Sequence, residues 1–248
     1  MRYPDEEITS IGELVSKLGE HLVGIPSPAW YRGQSDAAWR LEPKLLRTVP
    51  NPSERYLINR FRQSATLLVD KHPQTEFDWL FLMQHYAAPT RLLDWTESPL
   101  AALYFALGRA NDDKVAAIWV LLPTVLNEKS NFRPDTPNEI PSFNDEVLQN
   151  YLPETIASET RSKLFPVAAL APRNSARMQA QLGVFTISHR ENIYIEDVGA
   201  PGTPRDHIWR YLIPSDRRQT LRDELRLLGI SRFQLFPELG SLGGLFES

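Results

Sequence analysis

The chain has 248 residues, 42% of them hydrophobic and 23% charged, a globular balance with no linker-like stretch dividing it. A formal net charge of -4 leaves no basic surplus for a sequence-blind grip on nucleic acid, and the lack of cysteine excludes disulfides, thiol catalysis and a cysteine-type zinc site. No apolar run approaches the roughly 20 residues of a membrane span, and MRYPDEEITS lacks a signal-peptide core, so a cytoplasmic protein without membrane contact is expected.

Ile8, Ile11, Val15, Leu18 and Leu22 recur at helical spacing and predict an amphipathic helix over 7–23, with Ser10 and Glu13 as a capping box. Pro26 and Pro28 oppose helix, so AWYRG reads as a strand entering a glycine turn. Asn51-Pro52 opens a helix running to about residue 71, and a second spans 76–86 with Trp79, Leu80, Met83 and Tyr86 on one face. Pro89 breaks it, 90–95 is extended, and Ser98-Pro99 caps a helix to about residue 110.

VAAIWVLL suits a strand covered on both faces. Residues 124–163 are weakly periodic and read as an irregular insertion or lid. FPVAALAP, GVFTIS and HIWRYLIP read as strands, with a short helix over 174–181 before GVFTIS. Ser215 caps a last helix that ends near Gly229. The order implies an α+β fold, one domain with a small mixed sheet packed against helices.

Four polar groupings interrupt apolar segments. In Tyr31-Arg32-Gly33-Gln34, an arginine ending an apolar strand must find an anion or several acceptors, and Gly33 admits a close backbone or ligand. The alternative is an arginine bonding a loop carboxylate. In LEPKLLR, Lys44 and Arg47 add positive charge if the chain folds back, or form a solvated turn.

The third grouping joins Gln84-His85-Tyr86 to Thr90-Arg91-Leu92-Leu93-Asp94-Trp95-Thr96. Strand alternation puts Arg91 and Asp94 on opposite faces, so Asp94 needs a partner from elsewhere, for which Arg32 is the candidate. Otherwise Asp94 is a buried anchor for the Ser98 helix. In the fourth, Gln181 follows Arg177 by one helical turn, suited to an amide or ribose hydroxyl, or to capping the helix. There is no phosphate loop and no nucleophile elbow, and the five histidines show no metal-ligand spacing. Arg217, Arg218, Arg222 and Arg226, offset by Asp216, Asp223 and Glu224, read as a solvated helix face, which counts against nucleic acid.

YRGQSDAAWRLEPKLLR, LMQHYAAPTRLLDWTESPLAALYFAL, ARMQAQLGVFTI and GISRFQLFPEL together resemble the FRG domain, a bacterial and phage family named for Phe-Arg-Gly. Tyr31 replaces the Phe, and Ala87 stands where members often carry Gly. The resemblance implies a lead-in over 1–26, an FRG domain over 27–240 with the 124–163 insertion inside it, and a tail over 241–248. It further suggests an analogy to ADP-ribosyltransferase-like folds.

That analogy implies Arg32, Asp94 and Gln181 as catalytic residues. It puts Thr90, Trp95, Thr96 and Tyr104 along a nicotinamide pocket, with Trp95 stacking on a ring, and the polar groupings add Tyr31, Gly33, Gln34, Arg47, His85, Arg91 and Arg177 around the substrate. The ligand is then a nucleotide or other small molecule, NAD serving as substrate with no cofactor or metal required. The setting is a toxin or antiphage effector. Because Gln181 cannot carry the negative charge expected there, Asp94 or another carboxylate supplies it, or the cleft is a non-catalytic module sensing a ligand or protein partner.

Overall fold

A short edge strand, β1 (Glu6–Glu7), precedes helix α1 (Ile11–Leu22), where the sequence predicts helix from residue 7. Ser10 caps α1 by accepting from the Glu13 amide at 3.1 Å, while Glu13 turns back to the Thr9 amide at 2.9 Å rather than closing the box on Ser10. The computed structural model describes residues 1–48, 52–69, 72–108, 112–132, 138–158, 163–173, 175–199 and 202–242. The predicted helix limits at 51, 71, 110 and 174, and most of the 241–248 tail, lie outside the described residues.

Strand β2 (Trp30–Gln34) carries Gly33 inside the strand, not in a turn. The helices α2 (Lys44–Arg47), α3 (Glu54–Ala65) and α4 (Glu76–His85) follow, α3 capped by Ser53 and α4 by a Thr75–Asp78 capping box. Strand β3 (Leu92–Thr96) leads to α5 (Pro99–Ala106), whose Ser98 cap accepts from the Ala101 amide at 3.2 Å. Every residue of β4 (Ala116–Leu121) is buried, as its unbroken apolar run predicts.

The 124–163 stretch is more regular than expected. It holds α6 (Pro123–Lys129), a 3-10 turn over Glu146–Tyr151 and α7 (Pro153–Ser158). Leu126, Phe143, Leu148 and Tyr151 are core residues, so tertiary burial organises a segment too weakly periodic to announce itself. Then come β5 (Val167–Ala169), α8 (Ala176–Ala180), β6 (Gly183–Ile187), β7 (Ile208–Ile213), α9 (Arg218–Leu227) and α10 (Arg232–Leu235).

Among the described residues seven strands form one mixed sheet in the order β1-β7-β4-β2-β3-β6-β5, with only β1 and β7 parallel, so the fold is α+β as expected. Strand β2 pairs with β4 along its whole length, from Trp30↔Leu121 to Gln34↔Ala117, and β3 pairs with β6 from Leu92↔Ile187 to Thr96↔Gly183. Between β2 and β3 the only register pair is Tyr31↔Thr96, so the sheet opens there.

Helix α5 lies on β2 at the height of Gly33. A Cβ at Gly33 would meet the Ala102 carbonyl oxygen at 1.9 Å and the Ala106 nitrogen at 2.4 Å, and both alanines are fully buried. Glycine on the strand and alanine on the helix let the two backbones touch.

The arginines of α9 correct one reading. The start at Ser215 is a 3-10 turn without a side-chain cap, and Gly229 takes the left-handed conformation (φ 75°) expected of it. Arg218 is 1% exposed, donating to the Ser35 carbonyl at 3.0 Å, Ala106 at 3.1 Å and Gly108 at 2.9 Å. Arg222 donates to Leu107 at 2.9 Å. Half of the cluster is therefore a clamp on the open carbonyls at the end of α5 rather than a solvated face.

Candidate functional site

The opening between β2 and β3 leaves main-chain groups without a strand partner, and Arg32 fills it. Its Nη1 donates to the Asp94 carbonyl oxygen at 2.6 Å, while its Nε is buried with no hydrogen-bond partner. The sequence pairs Arg32 with the Asp94 carboxylate. The structure brings the two together through the main chain, because the guanidinium substitutes for the missing ladder bond. Burial pushes the Arg32 guanidinium below its usual range; Asp94 opposes the shift and Arg47 adds to it by repulsion.

Asp94 is the exposed member of a strand whose other four residues are buried, so it is not the buried anchor that one reading allowed. A chain of hydrogen bonds aims its carboxylate. The Thr90 hydroxyl donates to Gln84 Oε1, which leaves the Gln84 amide nitrogen to donate to Asp94 Oδ2 at 2.6 Å. Thr90 is itself fully buried, and its hydroxyl also accepts from the Leu92 amide at 3.2 Å. With its oxygen taken by the Thr90 hydroxyl, the Gln84 amide presents its nitrogen as a donor to the Asp94 carboxylate.

A cavity of about 490 Å³ opens over this pair, within the range of small-molecule sites. Of the residues predicted to form a site, Tyr31, Arg32, Gly33, Gln34 and Arg47 line it from one side, and Asp94, Trp95, Thr96, Arg177 and Gln181 from the other. Arg177 donates to the His85 carbonyl at 3.2 Å and lies over the Phe236 ring at 4.7 Å. Lys44 also lines the cavity, its ammonium donating to the Ala87 carbonyl at 2.7 Å.

Several of these residues are committed to the frame. Gln34 accepts from the Trp119 indole at 2.8 Å, and Thr96 donates to the Gln181 carbonyl at 2.6 Å while accepting from the Ser98 amide at 3.0 Å. Gln181 ends α8, and its side chain donates to the Leu235 carbonyl at 3.0 Å, so capping and side-chain tethering both hold it. Trp95 donates to Thr186 at 3.1 Å and is only 3% exposed, so it offers no open ring face for stacking.

Four expected substrate residues fall outside the cavity. Arg91 is 3% exposed, pairing with Glu54 at 2.7 Å and donating to the carbonyls of Ser188 at 2.5 Å and Tyr151 at 2.7 Å. Thr90 acts from behind through Gln84. Tyr104 packs on the core beneath α5, and the next residue, Phe105, faces the cavity instead. The 100° step of a helix makes that choice, and the register is invisible in an all-apolar helix. His85 closes α4 with its ring against Tyr86, and burial, then Arg177, depress its basicity.

The structure adds Gln84, Trp39, Arg40 and Glu42 to the cavity wall. Gln84 stands in the QHY grouping beside the candidate histidine, and Trp39 inside the quoted YRGQSDAAWRLEPKLLR, so both were within reach of the sequence. Backbone strain also gathers here. Ala87 (φ 57°) lines the cavity and Leu182 (φ 46°) follows Gln181, both in the left-handed region. Glycine at position 87 would carry that φ freely. Among the described residues, no group of three His, Asp or Glu side chains could hold a metal ion, and no helix is long and apolar enough to cross a membrane.

Residues 27–115 match the family model of the FRG domain. The matched segment holds Tyr31-Arg32-Gly33 and the whole Thr90–Thr96 stretch, hence both sides of the opened seam. No curated protein and no solved structure matches the chain.

Proposed function

We propose that the cleft binds a nucleotide and consumes NAD, either hydrolysing it or transferring its ADP-ribose part. One observation carries this reading: a single cavity holds an exposed carboxylate, Asp94, together with two arginines, Arg32 and Arg47, that make no ion pair among the described residues. Such a bipolar cleft is complementary to a ligand with anionic phosphates at one end and a cationic ring at the other, as in NAD.

In the reaction the bond between ribose and nicotinamide nitrogen breaks, and its electron pair leaves with neutral nicotinamide. Positive charge passes to the ribose carbon, which water or an acceptor hydroxyl then attacks, giving up its proton to solvent. Asp94, oriented by Gln84, stabilises that charge, the part Gln181 cannot play. The same proposal extends the FRG unit to residue 240, because β6 and α8 close the cleft and α10 holds Gln181. A cytoplasmic toxin or antiphage effector is the setting that goes with it.

A second reading is a non-catalytic sensing module for a ligand or protein. It is favoured by the tethering of Gln181, which leaves Asp94 as the one carboxylate directed by a relay. Incubating wild type, Arg32→Ala and Asp94→Asn with NAD, and following nicotinamide by mass spectrometry, separates the two. Release by wild type that is lost in folded Asp94→Asn supports the enzyme. NAD bound but unchanged by wild type leaves the sensing module, and no binding at all sinks the nucleotide reading.

A further inference from the structure

Trp39 keeps 45% of its surface exposed while lining the cleft. Yet the loop that carries it is pinned on both sides. The Ala37 amide donates to the Val115 carbonyl at 2.8 Å, and the Ala37 carbonyl accepts from Arg210 at 2.8 Å. The Ala38 amide is held by Asp36 at 2.8 Å. On the other side, Arg40 lies over the Tyr194 ring at 3.9 Å and pairs with Glu196 at 2.5 Å and with Asp197, and Leu41 is fully buried. An indole exposed on a fixed backbone is pre-organised, so ordering it against a ligand costs little.

The chain's other tryptophans serve elsewhere: Trp30, Trp95, Trp119 and Trp209 are core residues, and Trp79 packs against Phe61 and Arg62. Arg47, in the same cavity as Trp39, has no side-chain partner among the described residues. Arg32 directs Nη1 at a carbonyl and leaves Nε unsatisfied. Two guanidiniums in one cavity, close enough to repel each other and, among the described residues, neither ion-paired with a carboxylate, favour an anion placed between them.

We propose that Trp39 and Arg47 form the outer half of the ligand site, Trp39 as a stacking platform for an aromatic base and Arg47, with Arg32, as the clamp for the phosphate joined to that base. This rests on the nucleotide reading above and narrows it. The ligand is a base-bearing phosphate, not a sugar phosphate or an inorganic anion. Base and phosphate are recognised by different residues, so their contributions separate.

The test titrates ADP-ribose and ribose 5-phosphate calorimetrically into the full chain as wild type, Trp39→Ala and Arg47→Ala. Circular dichroism confirms the fold of each. Trp39→Ala is expected to lose about tenfold in ADP-ribose affinity, the usual scale of one base stacked on one aromatic ring, with ribose 5-phosphate affinity unchanged. Trp39→Phe retains most of the ADP-ribose affinity. Arg47→Ala weakens both ligands about tenfold and flattens their salt dependence. Equal ADP-ribose affinity in wild type and Trp39→Ala overturns the platform while leaving a nucleotide cleft standing. A folded wild type that binds no ADP-ribose overturns both.

Discussion

Arg91 and Arg32 belong to neighbouring strands of the sheet, one just before β3 and one in β2, and the fold treats them in opposite ways. Arg91 has a carboxylate and two carbonyls on its guanidinium and is closed off from solvent. Arg32 has one carbonyl, an unsatisfied Nε and a cavity in front of it. A guanidinium that has used its donors inside the protein holds the fold together. One left with donors to spare at an open seam is available to a ligand. The difference lies in the sheet: β3 and β6 are paired along their length, whereas β2 and β3 part after Tyr31↔Thr96.

The sharpest way to break this comparison is to remove each arginine. Arg91→Ala strands the Glu54 carboxylate and two buried carbonyls and is expected to cost about 3–5 kcal/mol. Arg32→Ala is expected to cost about 1 kcal/mol, the scale of one hydrogen bond, while abolishing ligand binding. Urea denaturation of both variants decides it, and equal losses would remove the distinction. Beneath the seam, Gly33→Ala forces α5 away from β2, with an expected loss of about 2–4 kcal/mol by the same assay, since the clash is with backbone that has no rotamer to give. If Gly33→Ala is neutral, the helix does not rest on the strand as described.

Acid places an unmatched charge in the closed part of the molecule. His207 is fully buried, its Nε2 donating to the Ile195 carbonyl at 2.9 Å, and burial depresses its pKa to about 4. The unfolded chain takes up that proton below about pH 6.5. Between those values the unfolded state binds more protons, so stability is full above pH 6.5 and falls as the pH drops toward 4. The expected loss is on the order of 2 kcal/mol. Gln in place of His207 keeps a donor and does not titrate, so denaturation at pH 7 and pH 4.5 should show a smaller acid loss in His207→Gln. The smallest effect expected is at the lip of the cleft. Ala87→Gly relieves a left-handed alanine, offset by the entropy glycine adds to the unfolded chain, for a net gain of about 0.5 kcal/mol in thermal unfolding.

Much of this was open to reading in the linear chain. The strand at AWYRG, the Ser98 cap, the fully buried β4 and the left-handed Gly229 all follow from local rules, since propensity, capping and hydrophobic period act over a few residues. The sequence pairs Arg32 with Asp94 because an arginine in an apolar strand and an aspartate with no local partner must each be answered from afar, and the structure joins them through the Asp94 carbonyl. Their mode of contact was not legible. Whether a guanidinium meets a carboxylate or a carbonyl depends on where two strands part, and no local signal encodes that.

The same reason divides the rest. Composition and pattern determined an α+β chain with a polar cleft, because burial and charge are properties of residue types. Tertiary structure decided which polar residues the cleft keeps. It buried Arg91 against Glu54, turned Phe105 rather than Tyr104 toward the cavity, sank Trp95 into the core and left Trp39 at the mouth. It also drew the weakly periodic 124–163 stretch into helices around Leu126 and Tyr151. Those outcomes turn on register, on the angle at which α5 meets Gly33 and on a seam between two strands. They are set by contacts between residues far apart in the chain, which only the packed structure brings together.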